Sequence, residues 1–198
     1  MIEFLQKLEA ADKDITLALN SLSSPFTDGV WQFFSNKYLW IPLYIVVAAA
    51  LFRKLGWKRA LVSIVAIALT IAACDQLGNL CKEFFARYRP CWTPDVVARG
   101  LHILEYKGGY YGFYSAHAAN SMGFALGSIL AFRWGNERKC TLYAVLITLW
   151  AVLVGLGRIM VGKHFLGDVL TGFAVGAAVS SILTCLAIFI YDRIVQKK

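Results

Sequence analysis

The chain has 198 residues, of which 59% are hydrophobic and only 16% are charged, and its formal net charge is +8. This length suits one domain, and so apolar a composition excludes an ordinary soluble domain and favours a membrane protein. In such a protein the excess of Lys and Arg first reports topology and contact with anionic lipid. Because no basic tract interleaved with aromatic residues occurs away from the membrane edges, we expect no nucleic-acid partner.

Residues 1–36 predict a segment that lies on the membrane. Apolar residues within 1–22 recur at helical spacing but alternate with charged ones, which is typical of an interfacial amphipathic helix. The first residues lack a basic stretch, and Glu3, Lys7 and Glu9 interrupt any apolar core. We therefore expect no cleaved signal peptide.

Five apolar runs follow, at 38–52, 60–80, 117–134, 142–161 and 166–191. A hydrocarbon core about 30 Å thick is crossed by a helix of about 20 residues. The runs therefore predict an all-α, polytopic membrane helix bundle with about five to six transmembrane helices over 37–192. No linker or repeat divides the chain, so we interpret 1–198 as a single membrane-integrated domain.

Two stripes of small residues indicate close helix packing. Gly123 and Gly127 lie four apart in the third run, and Gly172 and Gly176 lie four apart in the fifth. Small residues at this spacing let membrane helices approach closely. We expect the third and fifth runs to contact each other along these stripes.

The second run carries two polar residues, Asp75 and Asn79. Polar side chains at membrane depth usually face the interior of a bundle. We expect them either to brace a site or to pair with each other, and we favour a structural role.

The loop charges predict the orientation. Basic residues lie between runs one and two, between runs three and four, and after run five: Arg53, Lys54, Lys58, Arg59, Arg133, Arg138, Lys139, Arg193, Lys197 and Lys198. The positive-inside rule makes these loops cytoplasmic. The opposite side holds the amino terminus and the loops 81–116 and 158–165. It too is basic, at Lys82, Arg87, Arg89, Arg99, Lys107, Arg158 and Lys163, and an anionic substrate is the simplest reason for these charges.

The richest chemistry on that outer side lies in 157–168. His164 and Asp168 are four apart, so on a helix they share one face. A carboxylate there can accept the proton of one ring nitrogen and leave the other as a nucleophile or base. Arg158 offers a planar fork of donors that suits a phosphate oxyanion. The alternative is that Arg158 is a membrane-edge charge and His164 a helix cap.

Two more clusters fall on the same side. Lys82 and Arg89 are seven apart, which predicts that both face one way on a helix that Pro90 ends; the alternative is a helix terminus with favourable cations. Ser115 and His117 open the third run, where helix amides bind anions and an imidazole could protonate a leaving oxygen. Their alternative is an N-cap and an interfacial histidine.

Together these clusters carry a family resemblance. The three motifs, in order, are Lys82 followed after six residues by Arg89-Pro90; Ser115-Ala116-His117; and Arg158 followed after five residues by His164 and after three more by Asp168. This pattern resembles the type 2 phosphatidic acid phosphatase superfamily, which includes bacterial membrane lipid phosphatases, glucose-6-phosphatase and vanadium haloperoxidases. The resemblance covers 82–168, and the flanking spans suit the bacterial integral-membrane lipid phosphatase branch.

Three positions depart from the family pattern. The second motif usually reads Pro-Ser-Gly-His, and here Tyr114 and Ala116 replace the Pro and the Gly. The third usually opens Ser-Arg, and here Gly157 replaces the Ser. None of these changes removes a group that carries out the chemistry.

The resemblance implies a role for each motif residue. His164 attacks phosphorus and forms a phosphohistidine, Asp168 orients His164, and His117 protonates the leaving oxygen and then activates water. The oxyanions are held by Lys82, Arg89, Ser115, the Ala116 amide and Arg158. This is nucleophilic catalysis with electrostatic stabilisation of phosphoryl transfer. Since the outer face carries no carboxylate cluster arranged for a metal, we expect no metal and no cofactor.

The expected substrate is a phosphomonoester or pyrophosphate of a membrane lipid, with undecaprenyl pyrophosphate favoured. Lipid A phosphates, phosphatidylglycerol phosphate and phosphatidic acid are the alternatives. The enzyme is expected in the bacterial inner membrane, with its site facing the periplasm or exterior and no obligate protein partner. An anion transporter or membrane scaffold without catalysis would explain the spans and cations but not the paired imidazole and acid. Oxidation with bound vanadate fits less well, because the haloperoxidases are soluble.

Overall fold

The computed structural model describes residues 2–134 and 140–195, and most of these residues are helical. In chain order the helices are α1 (Ile2–Asn20), α2 (Asp28–Ser35), α3 (Ile41–Phe85), α4 (Pro94–Ala98), α5 (Ala116–Arg133), α6 (Thr141–Met160) and α7 (Leu166–Val195). Within these residues, extended pairing is limited to one antiparallel bridge between Tyr88 and Tyr111. The predicted all-α class is confirmed. The charges at Arg138, Lys139, Lys197 and Lys198 lie outside the described residues.

Helix α3 contains the first two apolar runs and is broken between them at Gly56. The backbone there has φ 73° and ψ 166°, a conformation that a residue with a Cβ rarely adopts. Val47 and Leu51 from the first arm pack in one apolar core with Ile67 from the second. The chain therefore folds back on itself at Gly56 and forms two arms, 41–55 and 57–85.

Three helical stretches of the described chain are long and apolar enough to cross a membrane: Lys37–Phe85, Thr141–Met160 and Leu166–Val195. The first includes both arms of α3. The predicted run 117–134 corresponds to α5, which contacts α3, α6 and α7 and buries its Ala, Gly and Ser residues among them. All five predicted runs are therefore helical, and α5 lies at the centre of the bundle.

Helices α5 and α7 approach closely along the predicted glycine stripes. A Cβ placed on Gly176 would lie 2.1 Å from the carbonyl oxygen of Ala119, and one on Gly172 would lie 2.6 Å from that of Ser115. Neither backbone oxygen can move aside without shifting its helix. The glycines therefore confirm the expected contact, and they bring the start of α5 against the second and third turns of α7.

Helix α1 lies against the carboxyl end of α6 and the amino end of α7 and has an unusual distribution of polarity. It exposes Phe4 and Leu5, at 64% and 57%, while Thr16 and Asn20 are buried. The Asn20 side-chain amide donates to the carbonyl oxygens of Ile159 (3.1 Å) and Met160 (3.0 Å). An apolar outer face suits contact with lipid, and the interfacial location of 1–36 stays a prediction.

Candidate active site

The link between α6 and α7 places His164 next to Asp168. The link turns at Gly162, where φ is 77° and a Cβ would lie 2.9 Å from the carbonyl oxygen of His102. His164 precedes α7 and Asp168 lies in its first turn, so the expected shared helix face is wrong. The pairing itself is present: Nδ1 of His164 lies 3.5 Å from Oδ2 of Asp168. The same carboxylate oxygen accepts a hydrogen bond from the Phe165 backbone N–H at 3.0 Å.

The surroundings of His164 keep its imidazole neutral. Burial lowers the pKa of His164 from its usual 6.5 to about 4, and neighbouring Asp168 only partly opposes this effect. At 3.5 Å the Nδ1 atom has no hydrogen-bond partner in the described part of the chain. Contacts of this kind are often long before substrate binds and shorten afterwards. A neutral imidazole beside a carboxylate is the form that a nucleophile requires.

Arg87 holds the other side of the Asp168 carboxylate, a contact that the sequence reasoning missed. Its Nη1 donates to Oδ1 of Asp168 and its Nη2 to Oδ2 of Asp12, each at 2.6 Å. The guanidinium also lies 4.4 Å from the centre of the Phe165 ring. Burial alone would lower the pKa of Arg87, but Asp168 and Asp12 raise it above its ordinary value. Arg87 therefore stays charged and fixes the orientation of Asp168.

Helix α1 caps the start of α7. The Gly167 N–H donates to Oδ1 of Asp12 at 2.8 Å, and the Leu166 N–H donates to Oγ1 of Thr16 at 3.0 Å. The first N–H groups of a helix lack partners within it, so these contacts satisfy two of them. With Asn20, the two side chains form a stripe spaced by four residues. That spacing was readable in the sequence, although its partner was not.

A cavity of about 500 Å³ lies in front of His164. Six of the predicted site residues line it: Lys82, Arg89, Ala116, His117, Arg158 and His164. Asp168 and Ser115 are fully buried behind its wall. The structure therefore brings the three sequence clusters to one place.

Lys82 and Arg89 reach the cavity by a different route from the one expected. Helix α3 ends at Phe85, and Ala86 has a φ of 46° that turns the chain away. Arg89 lies in the extended segment beyond, where its N–H donates to the Tyr110 carbonyl oxygen at 2.9 Å. The prediction that one helix face carries both cations is wrong, because the helix stops before Pro90.

The second motif is anchored by Tyr114, which departs from the family pattern, and by Ser115, which follows it. The Tyr114 hydroxyl donates to the Cys74 carbonyl oxygen at 2.7 Å, which ties the start of α5 to α3. Ser115 caps α5, since its Oγ accepts from the Ala118 N–H at 3.4 Å, and its own N–H donates to the Asp168 carbonyl oxygen at 3.0 Å. Contact between the Ser115 hydroxyl and a phosphate stays a prediction.

Arg158 lies in the last turn of α6 and contacts two groups that the sequence did not indicate. Its Nη1 donates to Oγ of Ser35, and it lies 3.4 Å from Oε2 of Glu105. A Cβ on Gly157 would lie 3.3 Å from the Trp31 carbonyl oxygen, so glycine lets α2 pack here. Ser35 therefore supplies a hydroxyl to Arg158. In the family pattern a serine stands directly before this arginine, at the position of Gly157.

Two imidazoles and several cations around one cavity, set in a membrane helix bundle, define a membrane phosphatase. A model of the PAP2 superfamily matches residues 59–191, and the chain belongs to this superfamily. It is 33% identical over 193 residues to a lipid A 4'-phosphatase of Porphyromonas gingivalis, covering 97% of this chain and 77% of the relative. It is 36% identical over 178 residues to a lipid A 4'-phosphatase of Bacteroides thetaiotaomicron, covering 89% and 75%.

Solved structures share the fold. A phosphatidylglycerolphosphate phosphatase from Bacillus subtilis superposes with a TM-score of 0.71 at 20% identity, covering 91% of this chain and 86% of that one. LpxE of Aquifex aeolicus superposes with a TM-score of 0.62 at 22% identity, covering 86% and 92%. The family and the relatives together support a lipid phosphatase located in a membrane.

Proposed function

We propose that the protein hydrolyses the 4'-phosphate of lipid A through a phosphohistidine on His164. The observation that carries the proposal is the position of the His164 imidazole, which lies 3.5 Å from the carboxylate of Asp168 and lines a cavity that His117 also lines. The names of the two relatives support lipid A as the substrate. Undecaprenyl pyrophosphate, which the sequence favoured, finds no support in these relatives.

The geometry suits an in-line attack on phosphorus. With Nδ1 of His164 directed at Asp168, the opposite nitrogen, Nε2, is the one free to attack. Lys82, Arg89 and Arg158 surround the cavity and would hold the phosphate oxygens as negative charge develops. Arg158 keeps a donor for this role, because its Nε is buried and has no hydrogen-bond partner within residues 2–134 and 140–195.

His117 serves the leaving group. It opens α5 and lines the cavity with His164, so it can protonate the sugar oxygen as the phosphorus–oxygen bond breaks. The phosphohistidine then remains, and the same imidazole can remove a proton from the water that hydrolyses it. His117 must enter the cycle protonated: it gives that proton to the leaving oxygen and regains one from the attacking water, so the cycle returns both histidines to their starting state.

The cavity also has room for a lipid tail. An apolar groove of about 330 Å³ lies between the two arms of α3, and it shares Ile41, Tyr44 and Ile71 with the cavity. A chain that leaves the cavity past these residues enters the face of the bundle that meets lipid. A membrane lipid therefore fits better than a soluble phosphate ester.

The decisive experiment separates the two histidines. With a labelled aryl phosphate, rapid quench of His117→Ala should show the phosphoenzyme accumulating, whereas His164→Ala should show none. On a lipid monophosphate, whose leaving group needs a proton, His117→Ala should lose about 10²–10⁴-fold in rate. Label that accumulates in His164→Ala would place the nucleophile elsewhere. Failure of the purified protein to release phosphate from any lipid would favour the non-catalytic transporter or scaffold.

Metal independence is a further part of the proposal. Fixed cations at Lys82, Arg89 and Arg158 can neutralise the phosphate as Mg²⁺ does in other enzymes. Phosphate release should continue in EDTA and be inhibited by vanadate, which mimics five-coordinate phosphorus. Activity lost in EDTA and restored by Mg²⁺ would contradict this part.

We also propose that the cavity opens towards the periplasm or exterior, as the loop charges indicate. Tyr106 and Lys58 are both exposed and lie at opposite ends of the bundle according to that orientation. In a chain whose own cysteines are replaced, an impermeant thiol reagent should label Tyr106→Cys in intact cells and not Lys58→Cys. The reverse labelling would invert the orientation.

A further inference from the structure

The cavity extends past the phosphate-binding cations towards the middle of the bundle, where its lining becomes polar on one side and aromatic on the other. One wall carries Asp75 and Asn120, whose side chains are joined by a hydrogen bond of 2.9 Å from Nδ2 to Oδ1. Of the two roles expected for Asp75 and Asn79, Asp75 thus lies at the cavity and bonds to Asn120, whereas Asn79 is exposed elsewhere on α3. The facing wall is aromatic and includes Trp40 and Trp150, with ring centres 5.4 Å apart.

Helix geometry places Asp75 and Trp150 at similar distances along their helices from the cations. Asp75 precedes Lys82 by seven residues, or about 10 Å along α3, and Trp150 precedes Arg158 by eight, or about 12 Å along α6. Ile71, where the cavity meets the apolar groove, lies one further turn down α3. From the outside inwards, the cavity thus presents phosphate-binding cations, then a polar wall facing an aromatic wall, then a route to lipid.

The middle level has hydrogen-bonding groups without partners. Oδ1 of Asn120 and Nε1 of Trp150 are buried, and neither has a hydrogen-bond partner in residues 2–134 and 140–195. Buried polar groups without partners are energetically unfavourable, above all among apolar surroundings. A polyprenyl or acyl chain at this level would leave both groups unsatisfied and would also cover the Asp75 carboxylate. A ligand with its own donors and acceptors would satisfy them.

We propose that this middle level is a subsite for the amino-sugar ring that carries the phosphate. Hydroxyl or amide N–H groups of an acylated hexosamine would donate to Asp75 and to Oδ1 of Asn120. A sugar oxygen or amide carbonyl would accept from Nε1 of Trp150, and the C–H face of the ring would pack on the aromatic wall. The inference rests on the proposed function and deepens it, because it names the headgroup that the site recognises.

The subsite gives a direct expectation about specificity. A site built to hydrogen-bond polar groups of its substrate discriminates strongly against analogues that lack them. Hexosamine-linked phosphates should therefore be preferred to polyprenyl phosphates. In the substrate order phosphate, sugar, acyl chains, each part meets the cavity level that matches its chemistry.

The test compares substrates with different leaving groups. The substrates are a lipid A 4'-phosphate, phosphatidylglycerol phosphate and an aryl phosphate; the variants are Asp75→Leu and Trp150→Phe, with Asn79→Ala as the control on α3. For Asp75→Leu, the ratio of kcat/KM for lipid A to that for aryl phosphate should fall about 10–100-fold, as expected for a lost charge-assisted hydrogen bond. For Trp150→Phe it should fall about 5-fold, and Asn79→Ala should leave it unchanged. Equal losses on all three substrates, or an unchanged ratio, would overturn the subsite.

A binding measurement keeps this inference separate from the proposed function. Calorimetry of wild type and Asp75→Leu with the dephosphorylated, acylated glucosamine disaccharide needs no turnover. Affinity that falls about 10–100-fold in the variant supports the subsite, even if wild type fails to hydrolyse lipid A phosphate and the proposed function is wrong. Hydrolysis of lipid A phosphate with no change of affinity or ratio in the variants would retain the function and exclude the subsite.

Discussion

Breaking the contact between Arg87 and Asp168 should impair both stability and catalysis. The side chain of Asp168 is fully buried, and those of Arg87 and Asp12 are only 25% and 15% exposed. Arg87→Gln removes two ionic contacts of 2.6 Å and leaves the Asp168 carboxylate without its counter-charge. Removing one partner of a buried ion pair destabilises a protein by about 3–5 kcal/mol. Because Arg87 retains some contact with solvent, we expect the lower end, about 3 kcal/mol.

The chain supplies a matched control, a second arginine whose carboxylate partner also lies on α1. Arg99 donates to Asp14 at 2.7 Å, two residues beyond Asp12, but these side chains are 49% and 63% exposed. Exposed pairs contribute about 0.2–1 kcal/mol. Thermal inactivation in detergent should therefore distinguish Arg87→Gln from Arg99→Gln.

Catalysis provides the second measurement. Displacement of a catalytic group by about 1 Å can lower a rate about 10²-fold, so kcat for Arg87→Gln should fall by about that factor, with KM much less affected. Arg87→Lys keeps the charge but cannot hold Asp168 and Asp12 with two separate nitrogens, so its kcat should lie between those of wild type and Arg87→Gln. Equal effects of Arg87→Gln and Arg99→Gln on kcat and on inactivation temperature would refute this reasoning.

Three more predictions concern the same framework. A Cβ on Gly112 would lie 2.9 Å from Cγ of Arg89 and 3.3 Å from Oδ2 of Asp168, so Gly112→Ala should lower kcat about 10²-fold. Gly109→Ala is the control and should leave kcat unchanged, because no described atom lies within 4 Å of a Cβ on Gly109. Gly176→Ala should lower stability by about 1–3 kcal/mol through contact with the backbone of α5. Gly29→Ala, which adds a Cβ in open space on helix α2, should not lower stability in the same thermal assay. Since the pKa of His164 is about 4 in the folded protein and ordinarily 6.5, the unfolded chain binds more protons between these values. Stability should therefore be complete above pH 6.5 and fall by about 3 kcal/mol towards pH 4. A stability profile that His164→Gln leaves unchanged would contradict the assigned burial.

The sequence predicted the bundle well because its signals are local. Apolar runs of sufficient length, Gly at intervals of four and the motif spacings each depend on neighbouring residues, and the structure places Lys82, His117 and Arg158 around one cavity. The prediction that depended on an exact helix boundary is wrong. Arg89 was assigned to a helix that in fact ends at Phe85.

Contacts between segments far apart in the chain could not be predicted from the sequence. Arg87 is 75 residues from Asp12, and Arg158 is 53 from Glu105. No periodicity or propensity specifies which charged side chains meet across such separations. Arg87 was therefore counted only as one basic residue of a loop, although its position in the fold makes it the support of Asp168.

The capping of α7 by α1 has a consequence for synthesis at the ribosome. Asp12 and Thr16 are separated from their partners Gly167 and Leu166 by 155 and 150 residues. At about 5–20 residues per second, α1 is made roughly 8–30 s before the backbone groups that it caps. During that interval its exposed Phe4 is well suited to hold the helix at the lipid surface, before Asp12 and Thr16 meet their partners. The nascent chain thus acquires a competent site only when its last long helix emerges.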